Sequence, residues 1–253
     1  MKAVEPHRAE RRGPLLPGLV ALAAFLVLLG LGTWQLQRKA WKDGLIATLT
    51  ERLAAPPVPL PDRAQWPQLA RDDFEFRRVI FPAEFLHDRE ALVYSVVSSL
   101  RANAPTAPGF SVFTPARLQN GGIIMVNRGF VPEALRDAKT RAEGESAGAV
   151  ELVGVIRWPD APSIFAPAPE PARNLWFARD STAIAAAKGL DAAPFYVDLE
   201  APTPPGGWPQ PARLRPNLPN NHLQYVVTWY GLAAALLAVF VAWAIRRRRS
   251  DAS

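Results

Sequence analysis

Two long apolar segments, one near each end of the chain, restrict its possible folds more than any other feature. Residues 15–34 form an uncharged, predominantly apolar segment of 20 residues, and residues 226–245 form a second of the same length. A helix of about 20 apolar residues crosses the hydrocarbon core of a bilayer. The sequence therefore predicts two transmembrane helices, at 14–36 and 222–245, both surrounded by the lipid bilayer.

The net charge of +6 lies mostly at the two ends of the chain. Residues 1–12 carry four basic and two acidic groups, and residues 246–253 carry four basic groups and one acidic group. Positively charged flanks of membrane helices stay in the cytoplasm. We therefore expect cytoplasmic basic tails at 1–13 and 246–253, and a domain at 37–218 on the periplasmic side of a bacterial inner membrane. The excess charge is thus a signal of topology, and no nucleic-acid partner is expected.

The first apolar segment is expected to remain in the mature protein as an anchor. The stretch GLGTWQLQRK at its end lacks the small-x-small pattern of a signal-peptide cleavage site. Helical spacing of apolar residues continues to about Leu53, where a cluster of four prolines at 56–61 predicts the end of the helix. The chain contains no cysteine, which excludes disulfides, thiol nucleophiles and thiolate metal sites.

The segment between the anchors is rich in short runs of Val, Ile, Phe and Tyr, the pattern of β-strands. LQNGGIIMV predicts a hairpin at its Asn-Gly pair, and STAIAAAKGL predicts a helix capped by Asp180 or Ser181 and ended by Gly189. The prolines of 162–171 predict a loop, and those of 202–219 a stiff linker back to the membrane. The expected fold is an α+β domain dominated by antiparallel β structure, a partly closed sheet or barrel, between two terminal transmembrane helices.

Motifs of the common enzyme classes are absent from the sequence. It contains no Gly-x-Ser-x-Gly elbow and no glycine-rich phosphate loop. Its three histidines, His7, His87 and His222, are far apart, so no pair has the spacing of metal ligands. His87, at the end of a predicted strand, is interpreted as a turn residue. The sequence therefore does not predict an enzyme.

Two motifs allow more than one interpretation. In VNRGFVP, Arg128 is either a surface cation in a turn after a strand or a planar fork that binds a carboxylate. In GTWQLQRKAWK, the tryptophan and the cations suit the membrane interface. That interpretation leaves Gln35 unexplained.

These motifs together resemble the Surfeit-locus protein one family. The resemblance is specific at GTWQLQRKAWK, VNRGFVP, NLWFARD and NNHLQYVVTWYGL, and it covers about residues 31–244. The family often has an acidic residue where this chain has Asn221, which puts a charge-dependent role of that position in doubt.

The resemblance implies a function in assembly. Such proteins help to mature haem–copper cytochrome c oxidase, at the step that places haem a in its largest subunit, and haem a synthase is a further possible partner. The leading hypothesis is a membrane-anchored haem a chaperone. The alternatives are a cofactor-free scaffold for an assembly intermediate and a periplasmic enzyme with an unfamiliar site.

His222 is the predicted ligand of the haem iron, because neutral imidazole is the commonest protein ligand of haem. The alternative is an amphipathic residue of the membrane interface. If the second helix already includes His222, Trp229 lies two turns further along the same face, about 10 Å away. The remaining candidates are Tyr225 beside the porphyrin, Gln35 on the same surface, and Arg38 and Arg128 as cations for the propionates.

Overall fold

The computed structural model describes residues 15–97, 107–161, 163–211 and 221–251. It divides into two units, which are described separately. Residues 1–47 and 217–253 belong to a helical unit, and residues 48–216 belong to a β-rich unit. The predicted cytoplasmic tail at 1–13 and the second half of the predicted linker lie outside the described residues.

The chain has one long helix near each end, α1 (Leu15–Ala54) and α4 (His222–Asp251), and the helical unit contains α4 and residues 15–47 of α1. Both are long and apolar enough to cross a membrane, and most side chains of their apolar parts are exposed. Two such helices at the termini fit a two-pass membrane protein. As predicted, α1 continues beyond its apolar part and ends before the proline cluster. Helix α4 extends further than predicted, through the arginines at 246–249.

The two long helices pack antiparallel, since late residues of α1 meet early residues of α4. The hydroxyl groups of Thr33 and Tyr230 are 3.1 Å apart. Gly32 is buried beneath the Tyr230 ring, and a Cβ atom there would lie 2.7 Å from the ring. At the other end, Gly18 faces Phe240. These two glycines let α4 approach α1 closely, as small residues do between membrane helices.

The β-rich unit contains one sheet of eight strands. The strands are β1 (Val58–Pro59), β2 (Arg78–Phe85), β3 (Ala91–Val97), β4 (Ala107–Leu118), β5 (Ile123–Pro132), β6 (Ala149–Arg157), β7 (Leu175–Trp176) and β8 (Ala192–Ala201). Their order in the sheet is β1-β2-β6-β8-β5-β4-β3-β7. A further pairing between β2 and β4 closes the five strands β2, β6, β8, β5 and β4 into a barrel. The barrel pairings are antiparallel except between β5 and β8.

The main core fills the barrel. Alternate residues of each strand point inward, as the period of a β-strand requires. On β5 these are Ile124 and Val126, both fully buried. A second apolar cluster lies under the short helix α3 (Ser181–Ala187), which covers Met125 and Tyr196 on the outer face of β5 and β8. Another short helix, α2 (Arg71–Phe74), precedes β2. The expected β-dominated domain with barrel closure is confirmed.

Several local predictions are confirmed. The Asn-Gly pair forms the turn between β4 and β5, where Gly121 has φ +79° and the Asn120 side chain accepts a hydrogen bond from the backbone of Gly122. Asp180 caps α3 by accepting from Ala183 N, 2.9 Å away, and Gly189 follows the helix with φ +66°.

The predicted linker at 202–219 differs from expectation in its first part. Residues 202–211 pack against the barrel, where Gln210 and Phe130 exchange two backbone hydrogen bonds of 2.9 and 3.0 Å. The proline content of this segment predicts a free-standing spacer. The prediction fails because no pattern in the sequence indicates that the segment pairs with β5.

Candidate functional site

His222 and Gln35 form the central contact of the candidate site in the helical unit. The His222 Nδ1 atom lies 2.7 Å from Gln35 Oε1, between the first turn of α4 and the facing turn of α1. An amide oxygen only accepts hydrogen bonds, so the Nδ1–H group of His222 donates. In this tautomer the lone pair of the imidazole is on Nε2. The contact therefore fixes the ring and leaves one nitrogen able to bind a metal, as an outer partner of a ligating histidine does.

Trp229 shares a face of α4 with His222. The helix begins at His222, so the predicted separation of two turns, about 10 Å, holds. The indole Nε1 atom is buried and has no hydrogen-bond partner among the described residues. A buried donor without a partner is energetically unfavourable. Trp229 thus carries a donor that a ligand with a polar substituent would satisfy.

Tyr225 and Arg38 are on exposed parts of the same two helices. Tyr225 is 52% exposed on α4, and it lies one turn from both His222 and Trp229 by sequence spacing. The Arg38 guanidinium lies 4.1 Å from the centre of the Trp41 ring, a cation–π contact at the end of the apolar part of α1. The structure thus brings Gln35 and His222 together and leaves Tyr225 and Arg38 accessible on the same helix pair.

Arg128 is in the β-rich unit, and its position contradicts one of the two sequence interpretations, that of a surface cation in a turn. Strand β5 continues through the whole NRGFVP motif to Pro132, so Arg128 is in a strand rather than in a turn. Its side chain is only 2% exposed. The guanidinium donates to the Gly144 carbonyl and lies 5.0 Å from the centre of the Phe85 ring. The surface-cation interpretation is therefore wrong. The buried position also does not favour the predicted contact with a haem propionate.

His87 is the other side-chain partner of Arg128. As interpreted from the sequence, it lies in a turn after β2, at the start of the short 3₁₀ helix His87–Arg89. Its Nδ1 atom is 3.2 Å from Arg128 Nη1, and its Nε2 atom is 3.1 Å from the Ser146 carbonyl. A guanidinium only donates and a carbonyl only accepts, so Nδ1 accepts and Nε2–H donates. Burial, and then the charge of Arg128, lower the pKa of His87.

Comparison with known proteins identifies the family. The model of the SURF1 family matches residues 22–234. The chain is 38% identical over 248 residues to a "SURF1-like protein" of Monosiga brevicollis, covering 95% of this chain and 90% of that protein. It is 37% identical over 227 residues to "Surfeit locus protein 1" of Homo sapiens and 36% identical to that of Rattus norvegicus, covering 86% of this chain and 72% of each relative.

The chain belongs to the SURF1 family.

The matched range of the SURF1 family includes both parts of the candidate site, from Gln35 on α1 to Trp229 on α4. The predicted resemblance is therefore confirmed. Among the residues that the structure describes, no group of three or more His, Asp or Glu side chains is arranged to hold a metal ion.

Sequence reasoning missed a buried polar network around Glu90 in this member of the SURF1 family. Glu90 binds Arg141, and both side chains are nearly inaccessible to solvent. The Lys188 ammonium and the Asn174 amide both donate to the Glu90 backbone carbonyl, each at 2.9 Å. These residues are separated by up to 98 positions, so no local pattern indicates the network. One buried oxygen of Glu90 and one nitrogen of Arg141 have no partner among the described residues.

A second buried network joins β5 to β8. The Asn127 amide donates to Asp198 Oδ1 at 2.7 Å, and Arg157 of β6 lies 3.5 Å from Asp198 Oδ2. Burial raises the pKa of Asp198, which Arg179 and Arg157 oppose. The Asn127 side chain also accepts from the backbone of Gly129. Within the NRGFVP motif, Asn127 therefore stabilises the parallel strand pair, and Arg128 is held by His87 and Gly144.

Proposed function

We propose that this SURF1-family protein is an assembly factor for haem–copper cytochrome c oxidase that binds haem a between its two membrane helices and assists its insertion into the largest oxidase subunit. The oxidase and haem a come from the family resemblance. The observation that carries the haem-binding part is the contact between His222 Nδ1–H and Gln35 Oε1 at 2.7 Å. It orients the imidazole with Nε2 available for iron.

Two further features of the helical unit support haem a as the cargo. Trp229 holds a buried N–H group without a partner, about 10 Å along the helix from His222. The formyl group of haem a is an acceptor that this donor would satisfy. Tyr225 offers an exposed aromatic face one turn from either residue. His222 would bind the iron, Gln35 would hold the imidazole, and Trp229 and Tyr225 would contact the macrocycle.

The charged candidates contribute unequally to this proposal. Arg38 is exposed and close to the end of the apolar part of α1, where an interfacial cation would meet a propionate. Arg128 is buried behind His87 and Phe85, and we assign it a structural role in the barrel. The predicted role of Arg128 in the site is therefore not part of the proposal.

The haem spectrum of the purified protein tests the proposal. We expect the protein from cells that make haem a to show a Soret band, and we expect His222→Ala to lose it or shift it strongly. His87→Ala is the matched control, since the hydrogen-bond partners of that imidazole, Arg128 and Ser146, are in the β-rich unit, and its spectrum should be unchanged. Trp229→Phe should weaken haem binding and keep the iron ligand. An unchanged spectrum in His222→Ala would return His222 to the role of an interface residue.

A cofactor-free scaffold is the second candidate function. One observation favours it: Ile164 and Phe165, in a loop of the β-rich unit, are 91% and 89% exposed. Adjacent large apolar residues on a loop suit contact with another protein. Under this alternative the purified protein is colourless and co-purifies with the largest oxidase subunit. Under either candidate, deletion of the protein reduces oxidase activity, and normal activity in the deletion strain contradicts both.

A further inference from the structure

An apolar crevice lies between the two membrane helices, away from His222. It has a volume of about 200 Å³ and is lined almost entirely by carbon. On α1 the small residues Gly18 and Ala21 line it beside two larger apolar residues, and on α4 it is lined by large apolar residues that include Leu236 and Phe240. An apolar cavity of about 150 Å³ accommodates a benzene ring, so this crevice has room for part of a hydrocarbon chain.

The crevice is aligned with the proposed haem site. On α4, His222, Trp229 and Leu236 recur every seven residues, so they lie on one stripe of the helix. Leu236 is about 21 Å from His222 along the axis, by the rise per residue. On α1, Gln35 and Ala21 are 14 positions apart, the same separation as that between His222 and Leu236 on α4. All five residues are half-buried, as residues at the edge of a groove between two helices are.

We propose that the crevice binds the isoprenoid tail of the haem cargo, so that the protein selects haems that carry such a tail. This inference rests on the proposed binding of haem at His222. With the iron on His222 and the ring beside Trp229, a tail that points along α4 runs toward Leu236. Haem a carries a farnesyl-derived tail, and haem b does not. The crevice therefore determines which haem is accepted, and His222 determines that a haem is bound.

The position of the crevice favours this tail over a phospholipid chain. Its lining lies within 18–25 and 236–240, in the half of each predicted span that is next to the chain termini, and contains no charged residue. Specific lipid recognition depends on cations that meet the headgroup, and this lining offers none. A haem fixed at His222 supplies its own anchor, so the crevice needs only to fit the hydrocarbon. Since lipid chains are equally apolar, the preference arises from packing against the small residues.

Titration of the membrane-embedded protein with three haems tests the inference. Haem o and haem b differ only in the tail, so the ratio of their dissociation constants isolates its effect, and haem a adds the formyl group. We expect nanodisc-embedded protein to bind haem o about tenfold more tightly than haem b, equivalent to about 1.4 kcal/mol. Ala21→Phe fills the crevice and should bring the ratio close to one while haem b binding is unchanged.

A matched variant and a second crevice variant complete the test. Ala24→Phe introduces the same side chain on an exposed face of α1 and should leave the ratio unchanged. Gly18→Leu fills the crevice from another position and should repeat the effect of Ala21→Phe. Equal binding of haem o and haem b by the unaltered protein, as expected if a lipid chain fills the crevice, overturns the inference and leaves the proposed function intact. Failure to bind any haem through His222 overturns both.

Discussion

Arg128 shows how a single buried cation can determine the architecture around it. The side chain is among the largest that the fold buries completely. Burial lowers its pKa to about 10, so the guanidinium remains protonated at neutral pH. A buried charge is tolerated only when its donors are paired. The ring nitrogen of His87, the carbonyl of Gly144 and the face of Phe85 provide that pairing at the end of the barrel.

Arg128→Lys should destabilise the protein. Lysine presents a point charge and cannot reproduce the planar fork that contacts His87 and Gly144 together. We expect a loss of about 1–3 kcal/mol in the free energy of unfolding, measured by urea denaturation in detergent. Arg117→Lys, at an exposed position on β4, is the control and should change stability by less than about 0.5 kcal/mol. Equal effects of the two substitutions would argue against a structural role for the fork.

His87 should make stability depend on pH. Its pKa is lowered by burial first and then by Arg128, while the Ser146 carbonyl, Glu145 and Glu90 act in the opposite direction. The folded state therefore binds a proton less readily than the unfolded state, whose pKa is about 6.5. The contribution of His87 is complete above pH 6.5 and is lost as the pH falls through the lowered folded pKa.

The His87→Gln variant removes this titration. We expect its unfolding free energy to fall less than that of the unaltered protein between about pH 7.5 and pH 5. The two proteins differ only at residue 87, so the difference between their pH profiles isolates His87. Parallel pH profiles would show that His87 does not sense the buried guanidinium.

The burial of Arg128 was partly predictable. Ile124, Val126 and Arg128 alternate along one strand, so a strand that continues through NRGFVP places the arginine on the barrel face. The glycine that follows Arg128 suggested a turn instead. The hydrogen bond between His222 and Gln35 was not predictable, because it joins residues 187 positions apart through helix packing. Only the presence of both residues on helices at the membrane boundary was evident.

Gly129 is the point where β5 meets the proline-rich segment that follows β8. It has φ +122°, and a Cβ atom there would lie 2.0 Å from the backbone oxygen of Gln210. Only glycine allows both the backbone conformation and the close approach. The hydrogen bonds between Phe130 and Gln210 depend on this contact.

Gly129→Ala should therefore be strongly destabilising, by about 3 kcal/mol or more, because backbone strain and a clash with main-chain atoms add. Gly121→Ala is the matched control, since Gly121 also has positive φ and has open space around its position. Gly121→Ala should lower the free energy of unfolding by about 1 kcal/mol, from the backbone conformation alone. Thermal unfolding of both variants measures the difference, and equal shifts in Tm would show that the approach of Gln210 does not matter.

At the level of elements, local signals predicted local structure well. The β4–β5 turn and α3 follow from an Asn-Gly pair and a capping aspartate, whose effects act within four residues. Barrel closure requires β2 to pair with β4 as well as with β6, and β8 pairs in parallel with β5 after a separation of about 70 residues. Such pairings depend on the packing of the whole core. The strand pattern of a single sequence therefore does not distinguish an open sheet from a barrel.

The two units of the molecule differ in where their apolar side chains lie. The helical unit exposes an apolar surface that fits a bilayer, since the side chains of both apolar segments are largely outside any protein core. The β-rich unit buries its own core in the barrel. If each long helix crosses a membrane once, the β-rich unit lies on one side of that membrane and the two termini lie on the other.

The charge at the two ends of the chain predicts on which side of the membrane the termini lie. Four arginines follow the apolar part of α4, and four basic residues precede that of α1, so both termini should be cytoplasmic by the positive-inside rule. In a bacterial host, alkaline phosphatase fused after residue 120 should be active, because the enzyme works only in the periplasm, and the same fusion after residue 253 should be inactive.

Replacing Arg246–Arg249 by glutamine tests the cause of this topology. If the arginines hold the C-terminus in the cytoplasm, the alkaline phosphatase fusion after residue 253 gains activity. Activity of that fusion in the unaltered protein would reverse the topology and move His222 to the cytoplasmic boundary.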